Sequence, residues 1–165
     1  MALRLIDLQH TREFISENDP DYDKDFAKAK ENGATVFHIR QLKSYELARL
    51  NDKVASFEMD QMATEETKSK SKKKDAQTSQ TTKIAMHQVG LEATRLAVIG
   101  SDNFFDAGGK PLDLGDALTK GRYGGKSVKM LPDEVMDAFD PDVALEIYQF
   151  IEEDQDIKGD DAKKS

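Results

Sequence analysis

The sequence predicts an α+β domain, three to four helices packed with a small sheet of short strands and interrupted by one disordered Lys-rich loop. Three observations carry that expectation. Thr35 to Leu42 is β-branched and aromatic, with Phe37 and Ile39 alternating against His38 and Arg40, the period of a half-buried strand. Two later stretches repeat apolar residues every three or four positions, the period of a helix face. Between those two, from Ala63 to Thr82, no apolar side chain is larger than alanine. Such a segment has too little to bury to offset its ordering entropy.

Taken in order, Leu3 to Leu8 reads as an edge strand, and Glu17 to Lys30 is acidic and holds the Asn-Asp-Pro-Asp turn signal, with a second turn at Asn32-Gly33. After the Thr35–Leu42 strand, Ser44 offers a helix N-cap with Glu46 in the first turn. Leu47, Leu50, Val54 and Phe57 then form one apolar stripe on a helix reaching about Met62. Thr, Glu, Ser, Lys and Gln dominate 63–82, which is expected to be a mobile loop. Lys83 to Ile99 resumes the helical pattern, with Thr81 or Thr82 as cap and Gly100 as the stop. Its apolar residues cover so much of its circumference that it should be contacted on more than one side.

Asn103 to Leu112 reads as strand, tight turn, strand, with Gly108-Gly109 supplying the positive φ of a hairpin. Pro132 and Pro141 stand where a first helical turn accepts proline. Asp140-Pro141-Asp142 caps a last helix from Val143 to about Glu153, with Val143, Ile147, Tyr148 and Ile151 inward. The expected organisation is therefore 1–62 for the N-terminal strand and first long helix and 63–82 for the flexible loop. Residues 83–153 hold the second helix, the hairpin and the C-terminal helices of the same domain, and 154–165 form a charged, frayed tail.

A length of 165 residues suits one domain with an arm or tail. Hydrophobic residues make up 38% and charged residues 34%, so the core must be small. The formal net charge of −8 argues against attraction to a phosphate backbone, and direct nucleic-acid binding is not expected. With no cysteine, disulfides, thiolate catalysis and thiolate metal sites are excluded. No apolar run approaches the ~20 residues of a membrane span. The N-terminal stretch has charges among its apolar residues and no cleavage pattern, so a cytoplasmic protein is expected.

The segment Lys120-Gly-Arg-Tyr-Gly-Gly-Lys-Ser127 ends like a phosphate-binding loop, but the glycine such a loop requires falls on Lys120. The next residues, Val128 to Pro132, look extended rather than helical, which removes the helix N-terminus that would face a phosphate. A Gly-rich surface loop is the reading this segment supports. His10, His38 and His87 lack ligand spacing. Asp102 to Asp113 fails as a calcium loop, because Phe104 occupies its third position and no glutamate its twelfth. No serine elbow and no carboxylate pair in a recognisable apolar setting is present. The chain reads as a non-enzyme with no cofactor and no metal, and no concave pocket of note is expected.

Candidate partner-binding residues are of two kinds. Met59, Met62 and Met86 flank the loop and, like the adjacent Phe104 and Phe105, read first as core packing, with adaptable or exposed partner-binding surface as the second reading. If Phe104 and Phe105 lie on a strand they point to opposite faces, leaving one exposed. Lys72, Lys73 and Lys74 belong to a run without arginine or aromatic residues, which suits an arm ordering on an acidic partner better than a nucleic-acid patch.

The order of features resembles a known group. "NDPDYDKDFAKAKENGATVFHIRQLKSYELARLND" joins an Asp-Pro turn to a strand and a helix. "EATRLAVIGSDNFFDAGGKPLDL" comes next, a helix ending in glycine, then Asn-Phe and a Gly-Gly-Lys-Pro turn, and "LPDEVMDAFDPDVALEIYQFI" closes the pattern. Together, over roughly Leu3 to Ile151 apart from the Lys-rich loop, these resemble small proteins of tailed-bacteriophage structural and tail modules, of the tail assembly chaperone type. The resemblance implies a non-enzymatic role in virion morphogenesis. Its partners would be other phage structural proteins, of the tail-tube or tape-measure type, or copies of itself, met in the host cytoplasm. The alternative it implies is a permanent virion component, a connector, tail or capsid-associated subunit.

Overall fold

The computed structural model describes residues 8–68 and 75–163, with side chains described for 8–56 and 84–153. The fold is α+β. In chain order its elements are β1 (Thr11–Phe14), α1 (Phe26–Asn32), β2 (Val36–Arg40), α2 (Ser44–Lys68), α3 (Asp75–Ala97) and β3 (Val98–Asp102). They continue with α4 (Leu114–Ala117), β4 (Thr119–Tyr123), β5 (Lys126–Met130), α5 (Asp133–Ala138) and α6 (Pro141–Lys163). Three helices are long; α1, α4 and α5 have seven residues or fewer. The strands form an antiparallel sheet in the order β1-β2-β3 and a separate β4-β5 hairpin.

The expected strand around Phe37 is the central one. Phe37 and Ile39 point into the main core, while Val36, on the other face, joins Ile15, Ala29 and Ala34 in a small cluster beneath α1. Asp25 caps α1, accepting from the Ala27 and Lys28 amides. Gly33 ends it at φ 94°, and the Ala34 amide reaches back to the Ala29 carbonyl at 3.0 Å. The Asn32-Gly33 turn signal is therefore a helix C-cap. The acidic stretch before it contains a helix that its composition did not announce.

Ser44 opens α2, but the box at its start is closed from the other side. Glu46 Oε2 accepts from the Lys43 amide at 3.3 Å and pairs with Arg40 at 3.0 Å. The Glu46 side chain is wholly buried, and Arg40 also donates to the Leu96 carbonyl at 2.8 Å. One ion pair thus ties β2, α2 and the end of α3 together. Helix α3 packs against α6, α2 and β5, as its broad apolar coverage requires. Val89, Ala93, Leu96 and Ala97 are buried, whereas Ile84 is exposed near the end of the packed region. The approach to α6 is close: a Cβ on Gly90 would lie 2.9 Å from the Leu145 amide nitrogen.

Several expectations are corrected. The backbone of α2 continues to Lys68 and that of α3 begins at Asp75, so helix occupies most of the stretch expected as a loop, and only 69–74 lie outside the described residues. Once a helix is nucleated and packed, each further residue gains one hydrogen bond for the one residue it orders, so extension is close to break-even without any burial, which a composition argument overlooks. Gly100 does not stop α3; the helix ends at Ala97 and the chain runs directly into β3, with Gly100 inside the strand. The two strands expected over Asn103–Leu112 reduce to a single bridge between Phe105 and Pro111. Here the Asp106 carboxylate captures the Gly108 and Lys110 amides, both at 2.9 Å, in place of a longer ladder.

The true hairpin is Thr119–Met130, where a surface loop was expected. Gly124 and Gly125, at φ 61° and 79°, make the tight turn between β4 and β5. Pro132 is the N-cap of α5 and Pro141 the first residue of α6, whose backbone extends to Lys163, beyond the expected end near Glu153. The strand expected at Leu3–Leu8 falls almost wholly outside the described residues.

Candidate partner-binding groove

Four segments of the fold leave an apolar groove between them. Its floor is a cluster of three rings from β2, the loop after β3 and the α5–α6 junction. Phe37 lies 5.8 Å from both Phe104 and Phe139, and Phe104 and Phe139 stack at 6.3 Å between ring centres. Leu112, Val135 and Val143 extend this floor into a hollow of about 580 Å³. The expectation of no notable concavity is thereby corrected. It arose because the three phenylalanines are distant in sequence, and only the packing of α5 and α6 against the sheet brings them together.

The remaining wall is the turn after β1, fixed to α6 by one carboxylate. Glu146 accepts from the Ser16 hydroxyl at 2.8 Å, from the Glu17 amide at 3.0 Å and from the Asn18 side chain. Asp19 accepts from the amides of Thr35 and Asp21, both at 2.9 Å, and the Thr35 hydroxyl donates to the Asn103 carbonyl at 2.9 Å. Asp140 caps α6 through the Asp142 amide at 2.8 Å. These polar groups hold the walls in place, and their bonds run within the fold.

The rim is acidic. Asp19, Asp106, Glu134 and Asp140 border the hollow, and among the described residues no Lys, Arg or His lines it. Phe105 stands at the same rim, 54% exposed, and lines the hollow together with Phe104. A large exposed ring beside an apolar hollow is a feature of interaction surfaces.

Of the residues singled out from sequence, the groove gathers Phe104 and Phe105. Met59 and Met62 lie on α2, where only the backbone is described, and Lys72, Lys73 and Lys74 lie outside the described residues. The residues that sequence reasoning missed are Phe37, Val135, Phe139 and the rim carboxylates. The one local signal was Phe139 between Ala138 and Asp140-Pro141, an aromatic residue at a break between two helices.

Elsewhere several charged groups are already paired. A second hollow of about 440 Å³, between α3 and the β4-β5 hairpin, contains Lys53 paired with Glu92, and Arg95 paired with Asp133 at 2.8 Å. At its edge Arg49 lies 5.2 Å over the Tyr123 ring. The Tyr123 hydroxyl is shut off from water without a well-formed hydrogen bond, and burial, reinforced by the adjacent Glu92 carboxylate, pushes its pKa up to about 12. His38 pairs with Asp102 at 3.0 Å and His87 with Asp142 at 2.9 Å. Among the described residues no three His, Asp or Glu side chains gather as a metal would require. Nor is any helix among them long and apolar enough to cross a membrane.

No protein-family model matches this chain, and no curated protein or solved structure matches it at a significant level.

Proposed function

We propose that this chain is a non-enzymatic binding protein of phage morphogenesis, a tail assembly chaperone-like factor that holds a tail-tube or tape-measure subunit in the host cytoplasm before it polymerises. The observation that carries the binding reading is the aromatic groove with Phe105 exposed at its rim. The Ser16 and Thr35 hydroxyls and the Asp19 carboxylate of its wall are bound to the fold itself, and the floor between the walls is apolar, a surface suited to meeting another molecule. The setting in tail assembly is supported by the order of sequence features from Leu3 to Ile151.

Co-expression with the tail-tube and tape-measure subunits of the same phage tests this. The wild-type chain is expected to bring one of them into the supernatant and to co-purify with it. Phe105→Ser should abolish capture while leaving Tm within a few degrees, because surface changes rarely exceed ~0.5 kcal/mol. Phe104→Ser should lower Tm as well, since that ring packs on Phe37 and Phe139. Equal capture by wild type and Phe105→Ser would remove the groove from the function. Mass spectrometry of purified particles separates the transient factor from a permanent virion component, which alone would be found there in fixed stoichiometry.

A further inference from the structure

We propose that the groove takes a short apolar segment flanked by lysine or arginine, presented by the partner protein. This deepens the binding reading above and rests on it. The argument is charge complementarity around an apolar floor. The floor offers aromatic and branched aliphatic surface from Phe37, Phe104, Phe139, Leu112, Val135 and Val143. Around it stand four carboxylates, from Asp19, Asp106, Glu134 and Asp140, with no cationic side chain among the described lining residues. A partner segment that seated only aliphatic or aromatic side chains would leave those carboxylates to be desolvated at its edges without compensation. A segment with acidic flanks would be repelled, and one with basic flanks would place its cations against the rim, favouring encounter and register.

A small polar ligand fits less well, because such sites need a few polar groups aimed inward. Here the Ser16 and Thr35 hydroxyls and both Asp19 oxygens are engaged within the protein. The chain's own basic run cannot be the occupant. Lys68 to Lys74 reads Lys-Ser-Lys-Ser-Lys-Lys-Lys, cations without any apolar side chain to seat on the floor.

Glu134 is the rim carboxylate best suited to a test. It stands in the first turn of α5, while Asp19, Asp106 and Asp140 each hold backbone amides. The full-length chain, immobilised, would be panned against a random dodecapeptide library at low salt, and enriched peptides measured by fluorescence anisotropy. Enrichment of peptides with two or more aromatic or branched aliphatic residues beside Lys or Arg is expected. Their binding should weaken about tenfold between 50 and 300 mM NaCl, because the rim is solvent-exposed and screened. Glu134→Lys should weaken the same peptides about tenfold or more and shift selection toward neutral flanks, while Phe105→Ser removes binding altogether. Glu134→Gln, which keeps the shape, should give a smaller loss and serves if the lysine variant does not fold.

Enrichment of apolar peptides with neutral or acidic flanks, or indifference to Glu134→Lys, overturns this inference and leaves the binding reading standing. No enrichment, or enrichment indifferent to Phe105→Ser, overturns both. A concentration-dependent dimer of the free chain that Phe105→Ser abolishes would also overturn it, in favour of a second copy as occupant.

Discussion

Gly90 sits in the middle of a long helix, where alanine would ordinarily be favoured by about 1 kcal/mol. Its reason for being glycine lies in the neighbouring helix. A methyl group there would stand 2.9 Å from the Leu145 nitrogen and 3.0 Å from its Cα, and backbone cannot step aside as a side-chain end can. The clash should outweigh the propensity gain, so Gly90→Ala is expected to destabilise the fold by about 1–3 kcal/mol. Urea unfolding monitored by circular dichroism measures this, and an increase in stability would show that α3 and α6 separate more readily than their packing indicates. At this scale the sequence was only partly legible. Glu46 announced itself as a first-turn acid, but nothing local revealed that it is buried against Arg40, because that partner comes from the strand before the helix.

Elements were legible where their signal was local. The strand at Phe37 and the faces of α2, α3 and α6 arise from periodicities that survive folding. The hairpin forms at the second of the two Gly-Gly pairs rather than at the first. Gly124 and Gly125 both take positive φ and are flanked by residues that ladder in full register, from Thr119–Met130 to Tyr123–Lys126, whereas in the other pair only Gly109 does, and the pair comes after an aspartate that folds the loop on itself. The β4-β5 hairpin is fastened to α2 by two cation–π contacts, Arg49 over Tyr123 at 5.2 Å and Lys126 over Tyr45 at 4.4 Å.

That docking gives a spectroscopic signature. Tyrosine is neutral when protonated, so a folded pKa raised from 10 to about 12 means that the folded state keeps the proton where the unfolded chain would release it. The contribution to stability is complete below pH 10 and is lost as pH rises toward 12. In an ultraviolet titration, Tyr123→Phe should remove a phenolate step that the wild-type chain shows well above pH 10. Loss of a step near pH 10 instead would mean that the hairpin leaves Tyr123 open to water.

Across the whole molecule, β2 is paired on both sides and covered on both faces, whereas the loop from Phe104 to Leu112 is held by one bridge and a handful of turn bonds. Native-state hydrogen exchange should therefore be slowest in β2 and in the Val89–Ala97 part of α3, and faster by orders of magnitude in the Phe104–Leu112 loop. Uniform protection would show that the groove wall opens only with global unfolding. The fold class was readable from three stretches of sequence because each depends on neighbours along the chain. The groove was not, because Phe37, Phe104 and Phe139 meet only in three dimensions, and a list of residues holds no concavity.

The route from β2 to β3 has its own consequence. The chain leaves the sheet at Arg40, travels out along α2, returns along α3 and re-enters beside its point of departure at Val98. An excursion that closes on itself imposes no length on the sheet. Whole helical turns could be trimmed or added in matched pairs beyond Val54 and Ile84, and the strands would keep their partners. Relatives of unequal size, or a fluorescent reporter spliced between the two helices, could be accommodated there as a branch is grafted, with the trunk unchanged.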